Sequence, residues 1–80
     1  MSIFLKVMSP DAVTLDEAVR SVVLPSPSGE LGILAKRQQV LVRLKKGALR
    51  YETLSGEKRS LPIEGGLAYN DGEVVTVLLR

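Results

Sequence analysis

Apolar and polar residues alternate along short stretches of the chain, and this period of two predicts β-strands rather than helices. In residues 3–8, the apolar residues Ile3, Leu5 and Val7 occupy every second position, and residues 40–44 alternate in the same way. Turn signals separate the stretches at intervals of roughly eight to twelve residues. The pattern predicts an all-β fold of about eight to ten short, mostly antiparallel strands. We expect a flattened β-sandwich or barrel, because an open sheet would leave one apolar face in water.

Two β-hairpins are the most distinct features of the pattern. Residues 48–63 form one candidate hairpin with Gly56 in its connector, and residues 66–79 form another with Gly72 in its connector. Tight hairpins need a residue that adopts positive φ without strain, and glycine does so. Both segments are therefore predicted to fold as pairs of adjacent antiparallel strands.

Three other segments carry less regular signals. Residues 11–20 fit either a short helix or a strand, and the run Val13-Thr14-Leu15 favours the strand. Two prolines and a glycine within residues 25–29 are expected to end a strand in that segment. Residues 28–41 contain a turn, an apolar strand, a polar run over residues 36–39 and a second apolar strand. The polar run is therefore predicted to lie at the tip of a hairpin.

Length and composition narrow the classes of function. Eighty residues support one small hydrophobic core, so residues 1–80 are expected to form a single domain. The sequence has no cysteine and no histidine, which excludes thiol nucleophiles, disulfides and the usual general base near neutral pH. The first ten residues are interrupted by Lys6 and by Ser9-Pro10, so they fit neither a signal peptide nor a membrane span. We expect a soluble cytoplasmic chain.

The motifs that resemble catalytic machinery are weak. Gly29-Glu30-Leu31-Gly32 lacks the lysine, the hydroxyl and the following helix of a phosphate-binding loop, so its glycines are expected to serve turns. The carboxylates Asp11, Asp16 and Glu17 have no partner that indicates a catalytic cleft. The sequence thus predicts no catalytic residue, no cofactor and no metal site, and we expect that the chain is not an enzyme.

One stretch of the chain is basic although the net charge is only +2. Residues 31–51 carry six cations and no carboxylate. Such a stretch could bind phosphates as part of a small basic β-barrel that binds nucleic acid, although only Tyr51 is near enough in sequence to stack on a base. A charged strand edge that resists aggregation is the simpler interpretation. Nucleic-acid binding remains the alternative function.

Five short blocks occur together in an order and spacing that resemble the epsilon subunit of F-type ATP synthases, over essentially the whole chain. The blocks are Val7-Met8-Ser9-Pro10, Gly29-Glu30-Leu31-Gly32-Ile33-Leu34, Leu44-Lys45-Lys46-Gly47-Ala48-Leu49-Arg50, Gly65-Gly66 and Val75-Thr76-Val77-Leu78. The resemblance implies a flattened ten-stranded β-sandwich in the central stalk. It also implies a non-catalytic rotor subunit, peripheral at the cytoplasmic face of the cell membrane, that clamps the gamma subunit to the c-ring and couples ion flow to ATP synthesis and hydrolysis.

The resemblance also implies which residues contact the two partners. Contacts with the c-ring are expected at Glu30, Lys36 and Arg37, and contacts with the gamma subunit at Ser9, Leu15, Leu41 and Val42. Relatives commonly have Pro-Gly-His-Ala-Pro where residues 35–39 read Ala-Lys-Arg-Gln-Gln, so the charge of the ring contact is expected to differ. Relatives also continue past the last strand into an inhibitory helical hairpin, which this chain is expected to lack.

Overall fold

The computed structural model describes residues 3–34 and 39–80, and these residues form eight β-strands and no helix. The strands are β1 (Ile3–Met8), β2 (Val13–Ser26), β3 (Gly29–Leu34), β4 (Val40–Leu44), β5 (Gly47–Thr53), β6 (Lys58–Ile63), β7 (Gly66–Asn70) and β8 (Val74–Leu79). The predicted all-β fold is confirmed. The strand interpretation of Val13-Thr14-Leu15 is also confirmed, because these residues begin β2.

The strands form one curled sheet in the order β4-β7-β8-β1-β2-β5-β6, with β3 attached to β2. At 14 residues, β2 is long enough to pair with β1 along its first half and with β3 and β5 along its second half. The strands pair antiparallel except β1 and β8, which run parallel. Because a twisted sheet of this size curls, its two halves cover one another as in a sandwich.

The core lies between the two halves and consists of aliphatic side chains. Its buried members are Ile3, Leu5, Val7, Val19, Val22, Leu24, Ile33, Leu44, Leu49, Ile63, Ala68, Val75 and Val77. The alternation in β1 is confirmed, because Ile3, Leu5 and Val7 are buried and Phe4 is exposed. Burial of each large aliphatic side chain contributes about 1.5–3 kcal/mol, so this cluster provides most of the favourable free energy of folding.

Both predicted hairpins are present, and the proline-rich segment ends a strand as expected. β5 pairs with β6 and β7 pairs with β8, while Gly56 and Gly72 have φ angles of 94° and 104°. β2 continues to Ser26, so Pro25 belongs to the strand. The carbonyl of Pro25 accepts a hydrogen bond from the N–H of Lys45 at 3.0 Å, which ties the end of β4 to the end of β2.

The prediction that residues 36–39 lie at the tip of a hairpin is wrong. Within residues 3–34 and 39–80, β3 pairs with β2 and β4 pairs with β7, so the two strands that flank this segment belong to different parts of the sheet. β4 is instead the antiparallel neighbour of β7 in the sheet, where Val42 lies opposite Ala68. Residues 36–38 themselves lie outside the described residues.

Gly66 lies where the backbone of β7 approaches that of β8 very closely. Its φ angle is 144°, and a Cβ atom added there would lie 2.1 Å from the carbonyl oxygen of Leu78. Gly66→Ala is therefore expected to lower the free energy of unfolding by about 2–4 kcal/mol in urea titrations. Gly56→Ala is the control, because Gly56 also has positive φ but nothing lies within 4 Å of its added Cβ. A smaller loss for Gly66→Ala than for Gly56→Ala would contradict the close approach.

The β7–β8 hairpin is closed by hydrogen bonds from main-chain N–H groups to Asp71. Its Oδ1 accepts one from Val74 at 2.8 Å and one from Glu73 at 2.9 Å. Both bonds lower the pKa of the Asp71 carboxyl from its ordinary value, and the bond from Val74 has the larger effect. Because the folded-state pKa is lowered, the contribution of Asp71 to stability is present above its unfolded pKa of about 3.9 and is lost as the pH falls below it.

Asp71→Ala should separate this contribution from those of the other carboxylates. At about pH 7 the variant should unfold at a lower urea concentration than the parent, and the difference should shrink as the pH falls from about 4 towards 2. The measurement is the urea midpoint of both proteins at a series of pH values. A difference that stays constant over this range would show that the carboxylate charge has no role in closing the hairpin.

Candidate functional site

Five large hydrophobic side chains are exposed together on the outer surface of β4, β7, β8 and β1. They are Phe4, Leu41, Leu67, Tyr69 and Leu78, and we call this surface the apolar outer face. The most exposed of them is Leu41, at 68%. Scattered single hydrophobics are ordinary on protein surfaces, whereas a contiguous group marks a place where another molecule binds.

Strand register brings these side chains together. Leu41 lies opposite Tyr69 across β4 and β7, and Leu67 lies opposite Leu78 across β7 and β8. Leu78 in turn lies opposite Met8 of β1. Side chains that are directly opposite on neighbouring strands lie on the same face and within contact range, so Leu41, Tyr69, Leu67 and Leu78 form one continuous surface. Phe4 lies farther along β1 on the same face, opposite Val74 of β8.

The outer surface of the other half of the sheet is charged. Glu52 lies opposite Lys58 across β5 and β6, and the guanidinium of Arg50 donates to the Glu30 carboxylate at 2.5 Å. Glu52, Lys58 and Arg50 border a groove of about 380 Å³ whose walls also include Ser21 and Arg59. The guanidinium of Arg59 is hydrogen-bonded to Glu57, which raises its pKa. The two outer surfaces of the protein are therefore chemically different, and only one is suited to apolar contact.

The residues predicted to contact gamma occupy three different environments. Leu41 belongs to the apolar outer face, while Leu15 and Val42 are half-buried and pack against the core. Ser9 lies in the connection from β1 to β2, where its hydroxyl donates to the carbonyl of Ala12 at 3.2 Å. The structure thus brings one of the four predicted residues to the exposed face.

Sequence reasoning missed most of the apolar outer face. Phe4, Leu67, Tyr69 and Leu78 occupy positions that alternate with buried residues in β1, β7 and β8. Alternation normally places polar residues at such positions when one face of a sheet meets water. The signal was therefore an apolar residue at an outward position, repeated on neighbouring strands.

The residues predicted to contact the ring are not all placed. Glu30 is exposed in β3 directly after the β2–β3 turn, opposite Pro25. Lys36 and Arg37 lie outside the described residues. Because residue 34 ends β3, Glu30 is separated from the segment that follows the strand by about 13 Å at the usual strand rise. Contact of these three residues with the c-ring remains a prediction.

The cations of the basic stretch do not form one patch in the described part of the chain. Arg43 lies opposite Leu67 on the apolar outer face, while Arg50 lies on the charged surface and is paired with Glu30. Lys46, in the β4–β5 connection, lies 3.9 Å from Glu64. Tyr51 is half-buried against the core. Nucleic-acid binding, the alternative function, is not supported by this arrangement.

Residues 3–34 and 39–80 contain neither a metal-binding cluster nor a membrane-spanning helix. Asp16 is exposed and lies opposite Lys6 across β2 and β1. In residues 3–34 and 39–80, no group of three or more acidic side chains comes together as a metal site. The same residues contain no helix with the length and hydrophobicity needed to cross a bilayer.

Fold and surface together define a small β-sandwich with one apolar and one charged outer surface. Comparison with known proteins gives its family: a family model described as "ATP synthase, Delta/Epsilon chain, beta-sandwich domain" matches residues 2–80. The chain belongs to this family, and the resemblance drawn from the sequence is confirmed.

Similar proteins carry the name ATP synthase epsilon chain. The one from Synechococcus sp. (strain WH7803) is 40% identical over 80 residues, which is 100% of this chain and 58% of the relative. The one from Rhodopirellula baltica is 40% identical over 78 residues, or 98% of this chain and 60% of the relative. The chain therefore spans about three fifths of the length of these curated relatives.

Chains in two solved structures have the same fold as this protein. A chain in the cryo-EM structure of the Euglena gracilis mitochondrial ATP synthase, comprising OSCP, F1 and c-ring, matches with a TM-score of 0.91 and 31% identity. The match covers 98% of this chain and 50% of that one. A chain in the central stalk and c-ring of the Tetrahymena thermophila mitochondrial ATP synthase matches with a TM-score of 0.82 at 15% identity, covering 100% and 64% of the two chains. The second match shows the fold alone.

Proposed function

We propose that this protein is a non-catalytic rotor component of an F-type ATP synthase, in which it clamps the gamma subunit to the c-ring. The proposal is supported by the family, whose relatives are named ATP synthase epsilon chain, and by the assembly with F1 and c-ring that contains the structural neighbour at 31% identity. As a clamp, it couples ion flow through the ring to ATP synthesis and hydrolysis while it performs no bond chemistry itself.

The observation that carries the proposal is the apolar outer face. A clamp must hold its partner under torque, and burial of aliphatic and aromatic side chains is the main source of affinity in stable interfaces. The face is broad because it extends over four adjacent strands, β4, β7, β8 and β1. We propose that the gamma subunit covers this face, with Leu41 at its β4 edge and Ser9, Leu15 and Val42 close to its border.

Contact with the c-ring is assigned to polar residues. Glu30, Lys36 and Arg37 are the proposed ring contacts, since charged groups at the rim of an interface favour a particular orientation and partner. Residues 1–80 are proposed to act as one domain. The proposed location is peripheral, at the cytoplasmic face of the cell membrane.

Removing apolar surface from the outer face should weaken binding to gamma without unfolding the protein. Leu41→Thr, Leu67→Thr and Leu78→Thr combined should reduce affinity for the cognate gamma subunit by at least about a hundredfold, at about 1 kcal/mol or more per leucine. Threonine is chosen because its β-branched side chain suits a strand. Calorimetric titration gives the affinity, and the thermal midpoint shows whether the fold persists.

The single variants Leu78→Thr and Leu54→Thr form a matched comparison. Both leucines are about equally exposed, at 49% and 48%, but Leu54 lies in the β5–β6 connection away from the apolar outer face. Only Leu78→Thr should weaken gamma binding. Equal losses for both variants would mean that gamma does not select this face, and the proposal would be abandoned.

Charge reversal tests the ring contact separately. Lys36→Glu combined with Arg37→Glu should weaken attachment to the c-ring, and the thermal midpoint of the variant shows whether the fold persists. The measurement is co-sedimentation with ring-containing membranes. Lys58→Glu combined with Arg59→Glu reverses two adjacent cations on β6 as a control. If both pairs of substitutions behave alike, Lys36 and Arg37 have no specific role at the ring.

A further inference from the structure

Three of the described strands, β3, β4 and β6, pair with a neighbour on one side only. In the described residues β4 pairs with β7, β6 pairs with β5 and β3 pairs with β2, so each has one unpaired edge. An unpaired edge presents main-chain N–H and C=O groups that another strand can bind. The three edges differ in sequence, and this difference indicates which edge is open to a partner.

The edges of β6 and β3 are poorly suited to accept a strand. β6 carries Lys58, Arg59 and Pro62, and charged residues and proline are the usual protection of an edge against strand addition. β3 contains Gly29 and Gly32, which weaken a strand and leave little side chain to pack against a partner. β4 has neither proline nor glycine.

The sequence of β4 suits pairing. Its residues 40–44 are Val-Leu-Val-Arg-Leu, four of them aliphatic and one charged. Valine, isoleucine and other β-branched residues favour strands, and no bulge interrupts the register of β4 with β7. Natural proteins protect an edge that stays unpaired with charges, proline or a bulge, and β4 has little of this protection.

Two observations show which peptide groups of β4 face away from β7. A Cβ atom added to Gly65, next to β7, would lie 3.3 Å from the carbonyl oxygen of Leu44, so that carbonyl points towards the β7 side. The N–H of the next residue, Lys45, points the other way and donates to Pro25 of β2. Because peptide groups alternate in direction along a strand, those of Leu41 and Arg43 also point away from β7.

Among the described residues, a groove lies on that side of β4. Its volume is about 310 Å³, and it lies between residues 41–43 of β4 and the β2–β3 turn, with Ser26, Pro27 and Leu31 in its opposite wall. At the end of β4, the hydrogen bond from Lys45 to Pro25 fixes the distance between the two sides of the groove. An extended segment in the groove could therefore reach the outward peptide groups of Leu41 and Arg43.

We propose that the free edge of β4 binds an extended main-chain segment of the gamma subunit, which adds a strand to the sheet beside β4. The inference rests on the proposed function, and it specifies how part of the partner is held. Leu41 links the two surfaces, because its side chain belongs to the apolar outer face and its peptide group belongs to the edge. A partner that covers the face therefore lies next to the groove.

Hydrogen exchange tests the proposal at single amides. In the free protein the amides of Leu41 and Arg43 should exchange fast and that of Val42, which bonds to β7, should exchange slowly. On saturation with the cognate gamma subunit, the exchange of Leu41 and Arg43 should slow by at least about tenfold, because each amide gains a hydrogen bond. If gamma binds and these two amides stay fast, strand addition is wrong while the proposed function stands.

The same experiment separates other occupants. If gamma does not bind at all, both the proposed function and the edge inference are overturned. If the two amides become protected in the free protein as its concentration is raised, the edge binds a second copy of the chain rather than gamma, and the proposal is likewise overturned. Ultracentrifugation at the same concentrations identifies this case by the mass of the dimer.

A pair of substitutions at Arg43 supplies an independent test. Arg43→Pro removes the outward N–H, which the pairing with β7 does not use, and should weaken gamma binding by at least about tenfold. Arg43→Ala removes the same guanidinium but keeps the N–H, so it measures the effect of the side chain alone, and Arg43→Pro should bind gamma at least about tenfold more weakly than Arg43→Ala. Equal affinities for the two variants, with both folded, would overturn the proposal. If Arg43→Pro does not fold, hydrogen exchange in the parent protein decides.

Discussion

Burial of aliphatic side chains between the two halves of one curled sheet is the constraint on which the structure depends. Among the described residues no aromatic side chain belongs to the buried core, so the interior is filled by valine, leucine and isoleucine from seven strands and by Ala68 from β7. Each contributes through apolar area removed from water, and a sheet can supply this area only if it covers itself. β2 makes this possible because one strand of 14 residues pairs in both halves. The outward positions are then free to serve other purposes.

Those outward positions give the protein two unlike surfaces. On β4, β7, β8 and β1 they are largely apolar, whereas on β5 and β6 they carry paired charges such as Arg50 with Glu30 and Arg59 with Glu57. Surface charge pairs contribute little to stability but keep a surface hydrated. The asymmetry therefore directs apolar contact to one side, where Leu41 also lies beside the free edge of β4. A small sandwich with one such side suits the proposed role of a clamp between larger subunits.

Local signals allowed much of this fold to be predicted. Gly56 and Gly72 identified both hairpins because positive φ in a tight turn is a local requirement, and the alternation in β1 identified its buried face. The pairing of β1 with β8 and the separation of β3 from β4 could not be predicted, since they depend on contacts between residues distant in sequence. The apolar outer face was missed for a related reason. Leu67 and Leu78 resemble core residues in sequence, and only the register shows that they face outwards.

Side-chain footprinting by hydroxyl radicals, applied to the free protein and to the assembled rotor, tests the central claim most directly. The account predicts that Leu67, Tyr69 and Leu78 are oxidised readily in the free protein and are protected in the assembly, while Leu54 is oxidised equally in both. Protection of Leu54 with continued oxidation of the other three would contradict it, because the partner would then cover the opposite side of the sandwich.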